Sequence, residues 1–366
     1  MKIDILKNIE WGILICTIIL VLIGMIGLYS ATQNTGYQEM KKQILWFTIS
    51  IPIILFIILL DYEIFVKISP ILFGISIVLL IAVLFTAPVN GATSWFNIGP
   101  FTFQPSEFTK IAMVLFTANV MVKVQRKSRE EINRFPKLLL VISTVLLLVI
   151  LIIVQPDYGT AMVFLVALIF MLFVAGIDRK YIITSIVFMV VMLPLLYFFI
   201  LPAHAKARID VFLNPDLDPR GAGYNIIQSK LAIGAGQIFG MGLFKGNQTQ
   251  LGYLYPKTTD FIFAVIGEEM GFVVASIVII LYVILITKAI KVAKTAKDDA
   301  GAYIAAGIAG IFFFHMVENI GMTMGLLPIT GIPLPFVSYG GSSMLTNLIL
   351  VAILLNISGR RHRVMF

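Results

Sequence analysis

The chain is nearly devoid of cysteine: Cys16 is the one thiol in 366 residues. An internal disulfide is therefore excluded, and the redox compartment cannot be read from thiol usage. Charge is scarce as well, at 13% Asp, Glu, Lys and Arg, against about 25% in a soluble domain. The sequence holds no H-E-x-x-H, no P-loop and no nucleophile elbow, so zinc peptidase, nucleotide-cradling and serine hydrolase chemistry find no foothold. No period of 20–50 residues argues for a solenoid. The apolar runs do not alternate with polar residues, which argues against a β-barrel.

What fills the chain instead is hydrocarbon: 59% hydrophobic residues and a mean hydropathy of +1.00. A membrane-spanning helix needs roughly 20 apolar residues. Ten such spans are predicted, over 11–29, 44–60, 65–86, 107–123, 138–155, 160–176, 181–201, 261–287, 302–320 and 339–357. The expected fold is an all-α polytopic integral membrane protein of about ten transmembrane helices. It is expected to be one domain over 1–366, with a large extracytoplasmic loop, 202–260, between the seventh and eighth spans. The first span is too long, and its flank too weak, for a cleaved signal peptide.

Basic residues orient the bundle. The pieces on the N-terminal side carry eighteen Lys and Arg. They run from Lys2, Lys7 and Lys67, through clusters at 123–137, 179–180 and 288–297, to Arg360, Arg361 and Arg363. The short loops of the other side carry Lys41 and Lys42. Both termini are therefore expected in the cytoplasm. The net charge of +8 is a topology signal that needs no nucleic-acid partner.

Three outside segments stand out. The loop 202–260 carries Lys206, Arg208, Arg220, Lys230, Lys245 and Lys257 against Asp210, Asp216, Asp218 and Asp260. It reads either as a solvated loop beside headgroups or as a site for an anionic ligand. Within it, 224–233 predicts a short amphipathic helix. The glycines that follow lack GxGxxG spacing and suit tight turns or close approach to a ligand or helix. The segment "NGATSWFNIGPFTFQPSEFTK" (90–110) is aromatic, as suits a membrane interface. The segment "GMTMGLLPITGIPLPFVSYGGSSM" (321–344) is too rich in proline and glycine for one helix. Irregular backbone at that depth must be buried in protein or line a wet cavity.

Ionisable groups in or beside the membrane mark function by default, because burying charge there costs several kcal/mol. Glu107 and Lys110 share a helix face by their i, i+3 spacing, as a structural ion pair or as an anion site. Asp157 in "QPDYGT" serves as an N-cap or as a functional carboxylate. Asp260 precedes the eighth span, where it competes with Thr258 and Thr259 as a cap or stands at a reaction site. Helical spacing places Glu268 and Glu269 away from it. His315 and Glu318 in "HMVEN" share a face with no further ligand at metal spacing, and are assigned to interhelical hydrogen bonding. Carboxylates beside a basic loop and an aromatic loop suit a lipid with an anionic phosphate head, a carboxylate acting as base and cations steadying a phosphate leaving group.

The long run "GYNIIQSKLAIGAGQIFGMGLFKGNQTQLGYLYPKTTDFIFAVIGEEMGF" and the 321–344 segment resemble the SEDS family (shape, elongation, division and sporulation). "QPSEFTK" and "QPDYGT" resemble two more of its signatures. "GNQTQ" and "GIPLPFVSYGG" are closer to the elongation branch than to the division branch. The resemblance covers nearly the whole chain. It implies a peptidoglycan glycosyltransferase that polymerises lipid II on the outer face of the bacterial cytoplasmic membrane, beside a class B penicillin-binding protein and other elongation-machinery membrane proteins. It implies Asp260 as catalytic base, taking the proton from the acceptor sugar's 4-hydroxyl, whose oxygen attacks C1 of the donor with inversion. It implies that Glu107, Lys110, Asp157, Lys257 and Ser338 bind substrate, Lys110 steadying the undecaprenyl pyrophosphate with a divalent cation (Mg or Mn) as an optional helper and no resident metal site. Glu269, His315 and Glu318 are implied as structural groups within the membrane. Lys257 and Thr258 depart from the family, which often has His or Arg there. The rival reading is a lipid II flippase using the same cavity.

Overall fold

The computed structural model describes residues 8–88, 92–99, 101–200, 203–214, 217–218 and 221–361. Lys2, Lys7, Asp216, Arg220 and Arg363, read above as topology or loop charges, lie outside the described residues. The spanning helices are α1 (Trp11–Ala31), α2 (Gln38–Leu59), α3 (Tyr62–Ala82), α4 (Pro105–Val124), α5 (Phe135–Val154), α6 (Tyr158–Ala175), α7 (Arg179–Leu195), α11 (Ile262–Thr295), α12 (Asp299–Thr323) and α13 (Gly341–Gly359). Among the described residues nine of these are long and apolar enough to cross a membrane. The tenth, α4, carries Glu107, Lys110 and Lys123, and it tolerates them because it is buried on most sides, against α3, α5, α6, α12 and α13. The chain is thus an all-α, multi-pass membrane protein. Its apolar side chains at the periphery, such as Ile18, Leu55, Ile150 and Phe188, are exposed toward lipid.

The helices outrun the apolar stretches that announce them. α2 begins at Gln38, so Lys41 and Lys42 sit on its first turns, and α11 continues past Lys288, Lys291 and Lys294. A helix that satisfies its own backbone can carry its ends into the interface, where long basic side chains reach water.

Between α7 and α11 the loop region folds as helices: α8 (Ala203–Leu213), α9 (Ala222–Ala235) and the single turn α10 (Asn247–Gln250). The expected 224–233 helix is α9. It packs on α11 and also meets α12, where Ser229 donates to the Thr323 carbonyl at 2.7 Å. The aromatic segment folds into a two-stranded hairpin, β1 (Phe96–Ile98) and β2 (Phe101–Phe103), which leads directly into α4.

The glycines after α9 serve close approach to a helix. Gly271 (φ 77°, ψ −177°) breaks α11. The amides of Phe272 and Val273, which in an unbroken helix would reach the carbonyls of residues 268 and 269, donate instead to Gln237 (2.9 Å) and Ile238 (3.2 Å). The freed carbonyls of Glu268 and Glu269 accept from Met241 (2.9 Å) and Gly242 (3.0 Å). Four hydrogen bonds are exchanged between helix and loop and none is lost, which is what lets a helix break at this depth. A side chain at Gly271 would collide with the backbone of 238–240.

The irregular segment between α12 and α13 is likewise satisfied by its neighbours. The Ser338 carbonyl accepts from Gln43 (3.0 Å), the Gly340 amide donates to Gln43 (3.1 Å), and the Pro333 carbonyl lies 2.9 Å from His315 Nδ1.

The two ends of the bundle differ. At the end holding the start of α1 and the end of α13, Glu10 meets Lys288 (2.8 Å), Arg361 (3.3 Å) and Lys291 (3.5 Å). Lys297 meets Glu63 (3.1 Å), Arg360 meets Asp61 (3.7 Å), and Arg129 pairs with Asp299. Arg129, Lys288, Lys291, Lys297, Arg360 and Arg361, all assigned to one side of the membrane, thus gather at one end. The opposite end holds a cavity.

Candidate functional site

The cavity, about 850 Å³, opens where the hairpin, the α5–α6 turn, the long inter-helix region and the α12–α13 segment converge. Its wall includes Glu107, Asp157, Lys257, Thr258, Thr259 and Asp260 from the predicted set. Groups separated by up to 153 residues in sequence are therefore brought to one chamber.

Asp260 is not on a helix. It closes a run of turns, and the N-cap of α11 is Phe261, without a side-chain capping bond. The capping assignment therefore fails for Asp260. Burial pushes its carboxyl above the usual range, while a hydrogen bond with the Thr259 side chain and the Arg208 charge pull it back. Gly331 (φ 77°) faces it, close enough that an added Cβ would lie 3.4 Å from Oδ2. Asp157, by contrast, does cap: Oδ1 accepts from the Thr160 amide (3.2 Å) and Oδ2 from Gln104 Nε2 (3.0 Å). Burial raises its carboxyl too, and the Glu107 charge adds to the rise.

Lys110 stands behind the wall. Its side chain is fully buried, and its ammonium lies 2.9 Å from Glu107 Oε1 and 3.2 Å from His315 Nε2. The resemblance implies that Glu107 and Lys110 both bind substrate. Glu107 lines the cavity, and Lys110 holds it from below. Ser338 is not among the wall residues: its hydroxyl donates to the Thr259 carbonyl (2.6 Å) and accepts from the Leu334 amide (2.9 Å). Lys257 lines the cavity and donates to the Thr249 carbonyl (2.7 Å); burial lowers its ammonium from the usual range.

The remaining intramembrane groups tie elements together. Glu269 accepts from Gln250 Nε2 (2.7 Å), which also reaches Ser30 Oγ on α1 (3.1 Å). Glu268 caps α10, accepting from the amides of Gln248 and Thr249 and from the Thr249 hydroxyl. Glu318 accepts from Thr330 (2.8 Å), and His315 links α12 to α4 and to Pro333.

Sequence reasoning missed Glu39 as a wall residue and named Arg208 only among the basic residues of the loop. Both belong to ordinary-looking polar stretches, and only packing brings them to the chamber. Gln104 was within reach, since it opens the quoted "QPSEFTK".

Among the described residues no three of His, Cys, Asp and Glu gather as a metal-holding group. A magnesium ion bound to a phosphorylated substrate needs one or two carboxylates, with phosphate oxygens and water completing its shell. Glu107 and Asp157 meet that lesser demand: both line the cavity, and Glu107 Oε2 is buried without a hydrogen-bond partner.

Comparison with known proteins places this geometry among relatives. A family model described as cell cycle protein, FtsW/RodA/SpoVE, matches residues 10–363. A probable peptidoglycan glycosyltransferase FtsW of Trichlorobacter lovleyi is 38% identical over 356 residues, covering 94% of this chain and 92% of the relative. Peptidoglycan glycosyltransferase RodA of Treponema pallidum is 33% identical over 437 residues, covering 99% and 100%. Among solved structures, a chain of a peptidoglycan synthase complex, studied for coordination of polymerization and crosslinking, superposes with a TM-score of 0.83 at 26% identity, covering 97% of this chain and 99% of that one. RodA of Thermus thermophilus superposes at 0.72 and 26% identity, covering 97% and 98%.

Proposed function

Because the chain belongs to the FtsW/RodA/SpoVE family, we propose that the cavity at the end opposite the ion-paired face is its catalytic chamber. The protein is a peptidoglycan glycosyltransferase, as its relatives are. In our reading it polymerises lipid II, and the chamber faces the outside of the cytoplasmic membrane with both termini inside, as the basic residues grouped at the other end favour. The observation that carries the site assignment is Asp260: a half-buried carboxylate in the cavity wall that caps no helix.

Asp260 accepts the proton of the acceptor sugar's 4-hydroxyl as the oxygen attacks C1 of the donor strand's terminal sugar with inversion. The bond from C1 to the pyrophosphate oxygen breaks, and undecaprenyl pyrophosphate departs with the electron pair. A carboxylate pushed up by burial is a stronger base than a free one, which suits general-base work. Lys257 and Arg208, the described cations on the wall, take the pyrophosphate charge in place of Lys110. Lys110, itself beside His315, fixes Glu107 in the chamber wall, where the carboxylate meets a substrate hydroxyl or amide donor. When a divalent cation is bound, Glu107 and Asp157 are the residues to hold it, and it supplies positive charge to the pyrophosphate. Growing strands would pass to a class B penicillin-binding protein partner, within a larger set of elongation-machinery membrane proteins.

The experiment is polymerisation of labelled lipid II by purified protein in detergent, with its transpeptidase partner, read on a gel. Polymer formed in the presence of moenomycin, with no second leaflet available, supports the enzyme. Leaflet exchange in liposomes without polymer under any partner condition would make the protein a flippase.

A further inference from the structure

Asp260 ends a run of three residues whose carbonyls are each held by a donor from far along the chain. The Thr258 oxygen accepts from the Tyr339 amide (2.8 Å), the Thr259 oxygen from the Ser338 hydroxyl (2.6 Å), and the Asp260 oxygen from Asn319 Nδ2 (3.0 Å). Two of these donors are bridges. Asn319 Nδ2 also donates to the Ile332 carbonyl (2.9 Å), and Ser338 Oγ also accepts from the Leu334 amide (2.9 Å). Both bridges join residues 259–260 to residues 332–334, the stretch that follows Gly331 on the facing rim of the cavity. Asn319 is wholly buried and Ser338 nearly so. Since 251–261 forms turns with neither helix nor sheet to stiffen it, these bridges carry much of its placement.

We propose that Asn319 and Ser338 are positioning residues for Asp260, setting the base relative to the facing rim through backbone carbonyls and not by touching substrate. The inference rests on the reading of Asp260 as the base. The chemistry selects the residue types. An amide nitrogen with two hydrogens can serve two carbonyls at once, whereas a carboxylate there would set acceptor against acceptor. A hydroxyl can donate to one backbone group while accepting from another, which is what Ser338 does. Neither residue projects into the chamber, so their loss changes where the proton acceptor sits and leaves the substrate contacts in place.

The test uses the purified full chain with its transpeptidase partner, steady-state polymerisation of lipid II, and thermal unfolding of each variant. Misplacing a reacting group by about 1 Å costs up to roughly 100-fold. Ser338→Ala and Asn319→Leu are therefore expected to lower kcat about 10- to 100-fold with KM changed by less than about threefold. Ser338→Thr, which keeps the hydroxyl, is expected to restore most of the rate. In an Asp260→Asn background Ser338→Ala should cost little more, because nothing is left to position. The Ser338 series decides the matter even if Asn319→Leu fails to fold. Ser338→Ala at wild-type kcat overturns the proposal. So does a loss that appears wholly as raised KM or lowered thermal stability, or one that Ser338→Thr does not relieve. The failures separate: a fully active Asp260→Asn removes the base reading and this inference with it, whereas an inactive Asp260→Asn beside a normal Ser338→Ala removes only the positioning role.

Discussion

The two ends of the bundle use the same carboxylates under opposite rules. At the ion-paired end Glu10 is buried among three cations, and Asp61, Glu63 and Asp299 each have an Arg or Lys partner. At the cavity end Asp260 and Asp157 are partnered by hydroxyl, amide and backbone groups, and Glu107 shares one buried lysine while its second oxygen is buried without a hydrogen-bond partner. The consequence shows in proton affinity. Burial raises the Glu10 carboxyl, but Lys288, Lys291 and Arg361 together outweigh it and hold the group below its usual range. Asp260 is raised by burial, which a Thr259 hydrogen bond and the Arg208 charge only partly oppose. Charge that is neutralised in place stabilises the fold; charge left short of partners is available to a ligand.

The contrast is sharpest for Lys110, a cavity-end cation committed to a carboxylate in the core. Lys110→Met should leave Glu107 buried without its partner and cost roughly 3–5 kcal/mol, measured by thermal or denaturant unfolding in detergent. The double variant Glu107→Gln, Lys110→Met should recover most of that stability and none of the polymerisation. Recovery of activity in the double variant would make the pair purely structural.

A smaller effect is expected at the other end. Glu10→Gln removes a depressed carboxylate. Its stabilising contribution is present above the unfolded-state pKa and fades as pH falls through the lower folded-state value. The variant should therefore unfold more easily at neutral pH, by on the order of 1 kcal/mol, and match the wild type in acid. Polymerisation per folded molecule should stay unchanged. A matching loss of activity would mean that the two ends are coupled.

Much of this was legible in the sequence. Hydrocarbon cannot be hidden, so the spans announced themselves, and even α4 was found despite Glu107, Lys110 and Lys123. Helix ends were not legible, because Lys41 and Lys288 lie on helices whose apolar stretches begin or stop elsewhere. Depth was not legible either. Spacing puts Glu107 and Lys110 on one face but cannot say which meets water, and the contact of Lys110 with His315 on α12 exists only in the folded chain. Asp260 was placed by its neighbours in sequence as a helix-capping candidate; the turns of 251–261 and their hydrogen bonds to 319 and 338–339 exist only once the chain is folded. The exchange around Gly271 needs two segments 30 residues apart to share four hydrogen bonds, a pairing no local pattern encodes.

The central claim is that Asp260 works as a proton acceptor, and Asp260→Asn tests it most directly. The amide keeps the shape and loses the base. A general base contributes about 10²–10⁴-fold, so polymerisation of labelled lipid II should fall by that factor. The sign of the stability effect follows from the raised carboxyl: ionising it disfavours the fold, so that stability falls as pH rises through the folded-state pKa. The variant should thus be at least as stable as the wild type at neutral pH. Lost polymerisation with undiminished stability is the predicted result; polymerisation within a few-fold of wild type would contradict the account.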